Sequence, residues 1–347
     1  MKVDDISDVC NSEITFVVQG PVIKGQTVEV LKSIRSNFNE SKIILSTWEN
    51  TNIDFDVSLY DKVIFNEDPG NFLYSSTAEI VNNVDRQIVS TYNGLKSCDT
   101  KYAFKIRTDF KITGSDFLKY FDVFDKFNEE YRIVNKRILA CTNVTRNPRN
   151  KFCAKHPFHI SDFAFFGLTE DLLNLFNIPL TPEEDKKYFD ISKNIPNIYK
   201  LSCRFMPEQW IFLSFLRKNN KSINCKYYCD FSEENSNLTD LYIVNNFTLL
   251  NLEQFNLDPF KKEFLTKDNC FYLKTCFTHY DFLKLYKKYC DYNYSLPRKD
   301  DEKNNILYVA FRIKRFIIRP ILKPVINIIC FFIKNRSIKH KLRAIYN

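Results

Sequence analysis

The triplet Arg107-Thr108-Asp109 is where side-chain types and spacing in this sequence best suit chemistry on phosphate. An aspartate can hold a hard divalent cation, and such a cation can bridge two phosphates. Two positions earlier, an arginine offers a planar fork of donors that matches phosphate in a way lysine does not. The triplet ends a short apolar and aromatic run, Tyr102, Ala103, Phe104 and Ile106, which reads as a buried strand, although periodicity alone leaves a helix open. Open α/β sheets bind ligands outside the carboxyl ends of their strands, and the triplet would stand there. Taken by itself, R-x-D is equally an ion pair at a solvated strand end. Other candidates also have two readings. Arg86 reaches a phosphate or pairs with a neighbour such as Asp85. The basic stretch with Arg146, Arg149, Lys151 and Lys155 suits an anionic ligand or is simply solvated. Glu208, after Pro207, is a first-turn carboxylate that complements a helix dipole without doing chemistry. His279 follows the run KTCFT and is as readily a satisfied structural residue as a ligand.

The elements that must position these residues follow from the hydrophobic pattern. Ile14–Val18 reads as a first strand ending in the turn Gln19-Gly20-Pro21. A helix capped at Thr27 follows, with Val28, Leu31 and Ile34 at helical spacing. Lys42–Thr47 and Asp61–Phe65 read as the next strands, ending near Glu49 and at Asp68-Pro69-Gly70. A helix is expected over Ser75–Ser97, with Gly94 near its end, before the central strand. Beyond Asp109 the pattern predicts a helix over Phe117–Phe127, strands at Arg137–Thr142 and Phe163–Gly167, and helices at Thr169–Phe176 and Glu208–Arg217. Thr181–Ile198, rich in charge and proline, reads as a loop excursion, and residues 225–300 as short strands and loops. Strands alternating with helices predict an α/β fold around a largely parallel sheet.

Composition sets outer bounds. The chain of 347 residues carries 16% aromatic and 44% hydrophobic residues, enough for a sizeable core. Its net charge of +8 is unevenly placed: residues 306–347 hold ten Lys or Arg and no Asp or Glu, which leaves −2 for the rest. Basicity confined to one end argues against a nucleic-acid-binding protein. Within that end, Arg312, Arg315, Arg319 and Lys323 recur at helical spacing among apolar residues, while Pro320 and Pro324 interrupt a straight helix. The apolar run from Pro324 to Ile333 is too short to span a bilayer. The pattern favours a segment lying on an anionic membrane surface, with a helix packed on the domain as the alternative. Eleven cysteines without metal-ligand spacing read as reduced thiols of a cytosolic protein, and no signal peptide is evident in the acidic start.

Several stretches stand in one order: ITFVVQGPV (14–22), KIILSTWE (42–49), Asp68-Pro69-Gly70, NVDRQIVST (83–91), YAFKIRTD (102–109), HISDFAFFG (159–167) and PEQW (207–210). Together they resemble the WavE family of lipopolysaccharide-synthesis proteins over roughly residues 12–215. The resemblance implies a bacterial glycosyltransferase of the GT-A fold, a Rossmann-type mixed sheet with flanking helices, with a nucleotide-sugar donor, a divalent metal (Mn2+ or Mg2+) and a saccharide or lipid-linked glycan acceptor. The chain then reads as a nucleotide-binding half over 1–115 and an acceptor-binding half over 116–300, with the basic, apolar pattern marking a membrane-associating tail over 301–347. Donor contacts would come from Gln19, Gly20, Pro21, Glu49, Asp68, Arg86, Gln87, Arg107 and Asp109. His159, Asp162 and Trp210 would face the acceptor. Glu208, with Asp162 as the alternative, would deprotonate the acceptor hydroxyl. Asp109 would hold the metal with His279. The sequence departs from the D-x-D that usually ends the central strand: its first carboxylate is replaced by Arg107, which can take over part of the metal's charge.

The chemistry suits those residues. Moving a sugar off a nucleoside diphosphate needs positive charge on the leaving group and, where the reaction inverts, a base at the acceptor hydroxyl. The expectation is an enzyme extending capsule or lipopolysaccharide glycan, cytoplasmic and peripheral on the inner membrane. A rival of another class is a non-catalytic, membrane-recruited scaffold for glycan assembly. Nucleotidyl transfer on a similar sheet is disfavoured, since only Lys24 and Gly25 approach a phosphate loop after the first strand.

Overall fold

The computed structural model describes residues 9–75, 80–150, 155–192, 195–261, 275–297, 324–326 and 328–330. The chain divides into two compact units, Met1–Leu296 and Pro297–Asn347. In the second, helical turns are described at 324–326 and 328–330; most of the basic segment expected on a membrane lies outside the described residues.

The first unit is built on a seven-stranded sheet. In chain order the elements are β1 (Ile14–Gln19), α1 (Gln26–Asn37), β2 (Lys42–Trp48), β3 (Lys62–Asn66), β4 (Phe72–Ser75), β5 (Ile80–Asn82), α2 (Val84–Lys96), β6 (Tyr102–Arg107) and β7 (Phe110–Ile112). There follow β8 (Ile138–Cys141), β9 (Ala164–Leu168), α3 (Thr169–Phe176), α4 (Glu183–Lys186), α5 (Tyr188–Ile191), α6 (Pro207–Lys218), α7 (Glu233–Asn246), β10 (Phe247–Leu250), β11 (Leu257–Pro259) and α8 (His279–Tyr289). Strand order is β10-β8-β9-β6-β1-β2-β3. Neighbours pair in parallel except around β9, which runs antiparallel to both β6 and β8. The result is the mixed, Rossmann-type sheet with flanking helices expected from the sequence.

Strand side chains alternate between faces, so a sheet covered on both sides needs apolar residues at successive positions. Strand β6 shows this. Tyr102, Phe104 and Ile106 join one core with Phe16, Val18, Phe166 and the α1 residues Val30, Leu31 and Ile34. Ala103 joins the other core with Val17, Phe165, Ile138 and the inner faces of α2, α3, α6, α7 and α8. Phe104 centres an aromatic cluster, with ring centroids of Phe16 at 5.1 Å, Phe117 at 5.1 Å and Phe255 at 5.4 Å. Of the two charged side chains in this strand, Arg107 ends it and Lys105 is fully buried on the second face near the rings of Phe165 and Phe176. Burial lowers its pKa to about 7. Its ammonium donates to the backbone carbonyl of Asp162.

Several expectations are corrected. The helix expected from Ser75 begins only at Val84: the preceding residues form the β4–β5 ribbon, and Asn82 accepts a hydrogen bond from the Val84 N–H at 2.9 Å. Phe117–Phe127 is not a helix but a 3-10 turn over Asp116–Tyr120, cut off by Asp122 at φ 62°. Its aromatic residues are needed separately in the core rather than along one stripe. Thr181–Ile198 contains two short helices, α4 and α5. Within 225–300 a fourteen-residue helix, α7, had left no signal, because polar Asn235, Ser236, Thr239 and Asp240 are buried alongside Tyr242, Ile243 and Val244. A helix buried on several sides lacks the apolar stripe that marks a surface helix.

Gly94 does not end α2 but lies inside it. A Cβ there would stand 2.4 Å from Val17 Cγ1 and 3.2 Å from Ser46 Cβ, so its bare backbone is what lets α2 pack onto β1 and β2. In an open helix Gly→Ala stabilises by about 1 kcal/mol. Here overpacking should reverse the sign: Gly94→Ala is expected to destabilise by about 1–3 kcal/mol, read as a lowered melting temperature. A raised one would show that the helix can shift outward without cost.

Candidate active site

Two strand ends define the site. In the β1–β6 register Gln19 lies opposite Arg107, and the Thr108 N–H donates to the Gln19 carbonyl at 3.1 Å. Gly20 turns the chain at φ 122°, and a Cβ there would meet Thr108 Oγ1 at 3.2 Å. The chain runs from β1 outward through β2 and β3, then returns to place β6 on the other side of β1. Such a reversal opens a crevice at the strands' carboxyl ends. A cleft of about 690 Å³ occupies it, within the usual range for small-molecule sites.

Four elements bring charge to the cleft. From the end of β6, Arg107 lies across Asp109 in a two-pronged pair at 2.9 and 2.8 Å, and its other terminal nitrogen stands 3.6 Å from Asp162 Oδ2. The guanidinium also packs over the rings of Phe163 and Phe110. Burial opposes the charge on Arg107, but Asp162 and Asp109 outweigh it and raise its pKa overall. From the first turn of α2, Arg86 grips Asp68 at 2.7 and 2.6 Å and reaches Asn83 at 3.0 Å. Asp162 precedes β9 and is placed by the Lys105 contact to its carbonyl and by the antiparallel pairing of β9 with β6. Only 3% of Asp162 is exposed, and its Oδ1 has no hydrogen-bond partner among the described residues.

Glu208 enters from the first turn of α6. That helix start is fixed by Gln209, whose side chain accepts from the Met206 N–H at 3.3 Å and donates to the carbonyls of Pro157 and Tyr228 at 2.7 and 3.0 Å. Behind Glu208, His159 Nε2 lies 3.5 Å from Glu208 Oε2. A helix N-terminus favours a carboxylate by less than about 1 kcal/mol at an exposed site. Here burial wins, with the negative charge of Asp162 adding to it, and the Glu208 pKa rises to about 8. His159, 1% exposed, is held well below its ordinary value by burial, Arg146 and His156, so it is neutral at pH 7.

Of the residues singled out in the sequence, the cleft is lined by Gln19, Gly20, Pro21, Asp68, Arg86, Gln87, Arg107, Asp109, Asp162 and Glu208. Four expected residues do not line it. Glu49 points to solvent just past β2, and its neighbour Trp48 takes the lining position, as alternation along a strand requires. His159 is buried behind Glu208. Trp210 is in the core, its indole N–H donating to the Pro179 carbonyl at 3.1 Å. His279 starts α8, with Nδ1 2.7 Å from the Leu249 carbonyl and its ring against Tyr120. Sequence reasoning missed Val144, a β-branched lining residue at φ 71°, and the apolar rim residues Ile23 and Val81. Lys105 carried a signal, a lysine inside an otherwise apolar strand.

A divalent metal, which the family resemblance implies, would need open carboxylate or imidazole ligands at the cleft. Both Asp109 oxygens are engaged by Arg107, His279 is not at the cleft, and no group of three or more His, Cys, Asp or Glu suited to a metal is gathered among the described residues. These side chains as placed do not fit a resident divalent ion, because a guanidinium stands where it would be held.

The raised pKa of Glu208 has a thermodynamic sign. Between about pH 4.5 and pH 8 the folded state binds the extra proton, so this group's contribution to stability falls as pH rises through that window. Wild-type stability relative to Glu208→Gln should therefore decline from pH 5 to pH 8. One glutamate carboxyl resonance should titrate near pH 8 and vanish in the variant. Parallel melting curves for the two proteins across that range would refute the assignment.

Among the described residues no helix is long and apolar enough to cross a membrane. No curated protein matches the sequence. Among solved structures, the crystal structure of 4-diphosphocytidyl-2C-methyl-D-erythritolsynthase from Anaerococcus prevotii DSM 20548 aligns at 10% identity, covering 66% of this chain and 96% of that one. Its TM-score of 0.27 is too low to carry an argument. The sequence matches the WavE lipopolysaccharide synthesis family over residues 14–321, well beyond the span of the motifs that first suggested it. The chain belongs to the WavE family of lipopolysaccharide synthesis.

Proposed function

We propose that this protein is a glycosyltransferase that moves a sugar from a nucleotide-sugar donor onto a growing bacterial surface glycan, lipopolysaccharide or capsule. The observation that carries the reading is the charge layout of the cleft at the β1–β6 crevice. Two arginines, Arg86 and Arg107, stand on the side of the strand ends, where a nucleoside diphosphate would lie. Two carboxyl groups, Asp162 just before β9 and Glu208 in the first turn of α6, line the same cleft, where an acceptor hydroxyl would enter. Arg107 uses two of its five N–H donors on Asp109, which leaves others for phosphate oxygens. Family membership supports the pathway, and the size of the cleft suits a small-molecule donor. The basic segment 306–347 would hold the enzyme against an anionic inner-membrane surface on the cytoplasmic side, near a lipid-linked acceptor.

A thermal-shift panel of UDP, GDP, CDP and CMP tests this on wild type, Asp109→Ala and Arg107→Met, with manganese or EDTA. A ligand at a hundred times its Kd stabilises the native state by about 2.7 kcal/mol. One nucleotide is expected to raise the melting temperature equally with manganese and with EDTA, and Arg107→Met to lose the rise. A manganese-dependent rise lost in Asp109→Ala would return Asp109 to a metal. No rise with any nucleotide, from folded protein, would favour the scaffold.

A further inference from the structure

Strand β6 carries Lys105 at a layer that is otherwise apolar: its register partners are Val17 on β1 and Phe165 on β9. The residue is fully buried, with its ammonium 5.8 and 5.9 Å from the ring centroids of Phe165 and Phe176. An ammonium has three N–H donors, and among the described residues this one makes a single hydrogen bond, to the Asp162 carbonyl. A buried charge met by one acceptor is costly, and exchanging buried ionic groups for apolar ones of similar size is often neutral or stabilising. The sheet by itself therefore does not call for a lysine here. What the contact does is local to the cleft. The β6–β9 ladder ends at Ile106 opposite Ala164, so Asp162 and Phe163 stand beyond its last rung. On this corner lean two of the contacts that aim Arg107: its Nη1 is 3.6 Å from Asp162 Oδ2, and its guanidinium packs over the Phe163 ring at 5.4 Å. Asp109 holds the other edge of the same guanidinium at 2.9 and 2.8 Å.

We infer that Lys105 is a positioning residue for phosphate binding: from inside the sheet it fixes the Asp162–Phe163 corner, and the corner fixes the direction of the Arg107 fork. The inference rests on the glycosyltransferase reading, in which Arg107 meets the diphosphate. A guanidinium binds phosphate through paired, parallel donors, so its affinity depends on angle as well as on charge. Lys105 supplies by a side chain the hold on the Asp162 carbonyl that a further ladder rung would otherwise give. A poorly partnered cation stays in the core because the site needs it, a local departure from good packing of the kind that functional sites show.

The test is a nucleotide titration of the full chain in EDTA, with UDP, GDP and CDP each followed by melting temperature. Wild type is compared with Lys105→Met and Lys105→Leu. Lys105→Met is also made together with Arg107→Lys, which keeps a charge but has no planar fork to aim. Unliganded Lys105→Met should melt at or above the wild-type temperature. The nucleotide concentration that gives half the rise should increase by about 10–100-fold, the cost known at metal sites for losing a group that orients a ligand from behind. In the Arg107→Lys background the same substitution should cost less than about threefold, because residues that act through one another are not additive. An undiminished rise in both Lys105 variants overturns the inference. So does an equal loss in the two backgrounds, which would mean that Lys105 acts by its own charge. Loss of cooperative melting in both Lys105 variants overturns it as well, by making the lysine part of what holds the fold. If no nucleotide raises the melting temperature of wild type, the glycosyltransferase reading itself fails, and the inference with it.

Discussion

The site depends on the pairing of β1 with β6. Those strands are far apart in sequence, yet their register sets Gln19 opposite Arg107 and ties Thr108 to the Gln19 carbonyl. A slip by one residue would turn Phe104 and Ile106 out of their core and Lys105 into it. The apolar alternation that keeps the sheet covered on both faces therefore also fixes where the charged triplet emerges. Antiparallel β9 then brings the Asp162 loop to the same edge from the opposite chain direction. Parallel strands alone would have delivered only their own carboxyl ends to that crevice.

Charge in the cleft is organised as pairs. Arg107 with Asp109 and Arg86 with Asp68 each join a strand-end carboxylate to an arginine through two hydrogen bonds. Planar pairs of this kind fix orientation as well as charge. A partly buried guanidinium with a carboxylate on one side keeps its remaining donors aimed, where an unpaired one would be costly to bury. Asp109 thus anchors the Arg107 guanidinium with both of its carboxylate oxygens.

The sheet strands were legible in the sequence because each is a short apolar run bounded by turn residues. The strand-end residues were legible with them, since a strand that stops at Arg107-Thr108-Asp109 fixes their place to within a residue. Trp48 and Glu49 show the limit: both were at the right strand end, and only the pleat decides which one faces the cleft. Trp210 and His279 failed for another reason. An indole N–H and a ring nitrogen find backbone carbonyls inside the core, and nothing local in the sequence distinguishes such a partner from a ligand. Helix α7 was illegible because its buried face carries Asn, Ser and Thr whose partners come from distant loops, such as Asn246 with the Ile133 N–H. The raised pKa of Glu208 comes from tertiary burial and the neighbouring Asp162, which a motif does not record.

The spread of the cleft along the chain also bears on how the protein is made. Its lining begins at Gln19 and ends at Glu208, and β9, between them, must insert beside β6 in the opposite direction. A ribosome adding about 5–20 residues per second needs roughly 10–40 s to travel between those two residues. During that interval β1, β2, β3 and β6 can already associate, but the edge of β6 that will receive β9 is unpaired, an aromatic strand with open backbone groups. The nascent chain is therefore most exposed to wrong strand pairing, and most in need of a chaperone, in the stretch of synthesis between residues 107 and 168.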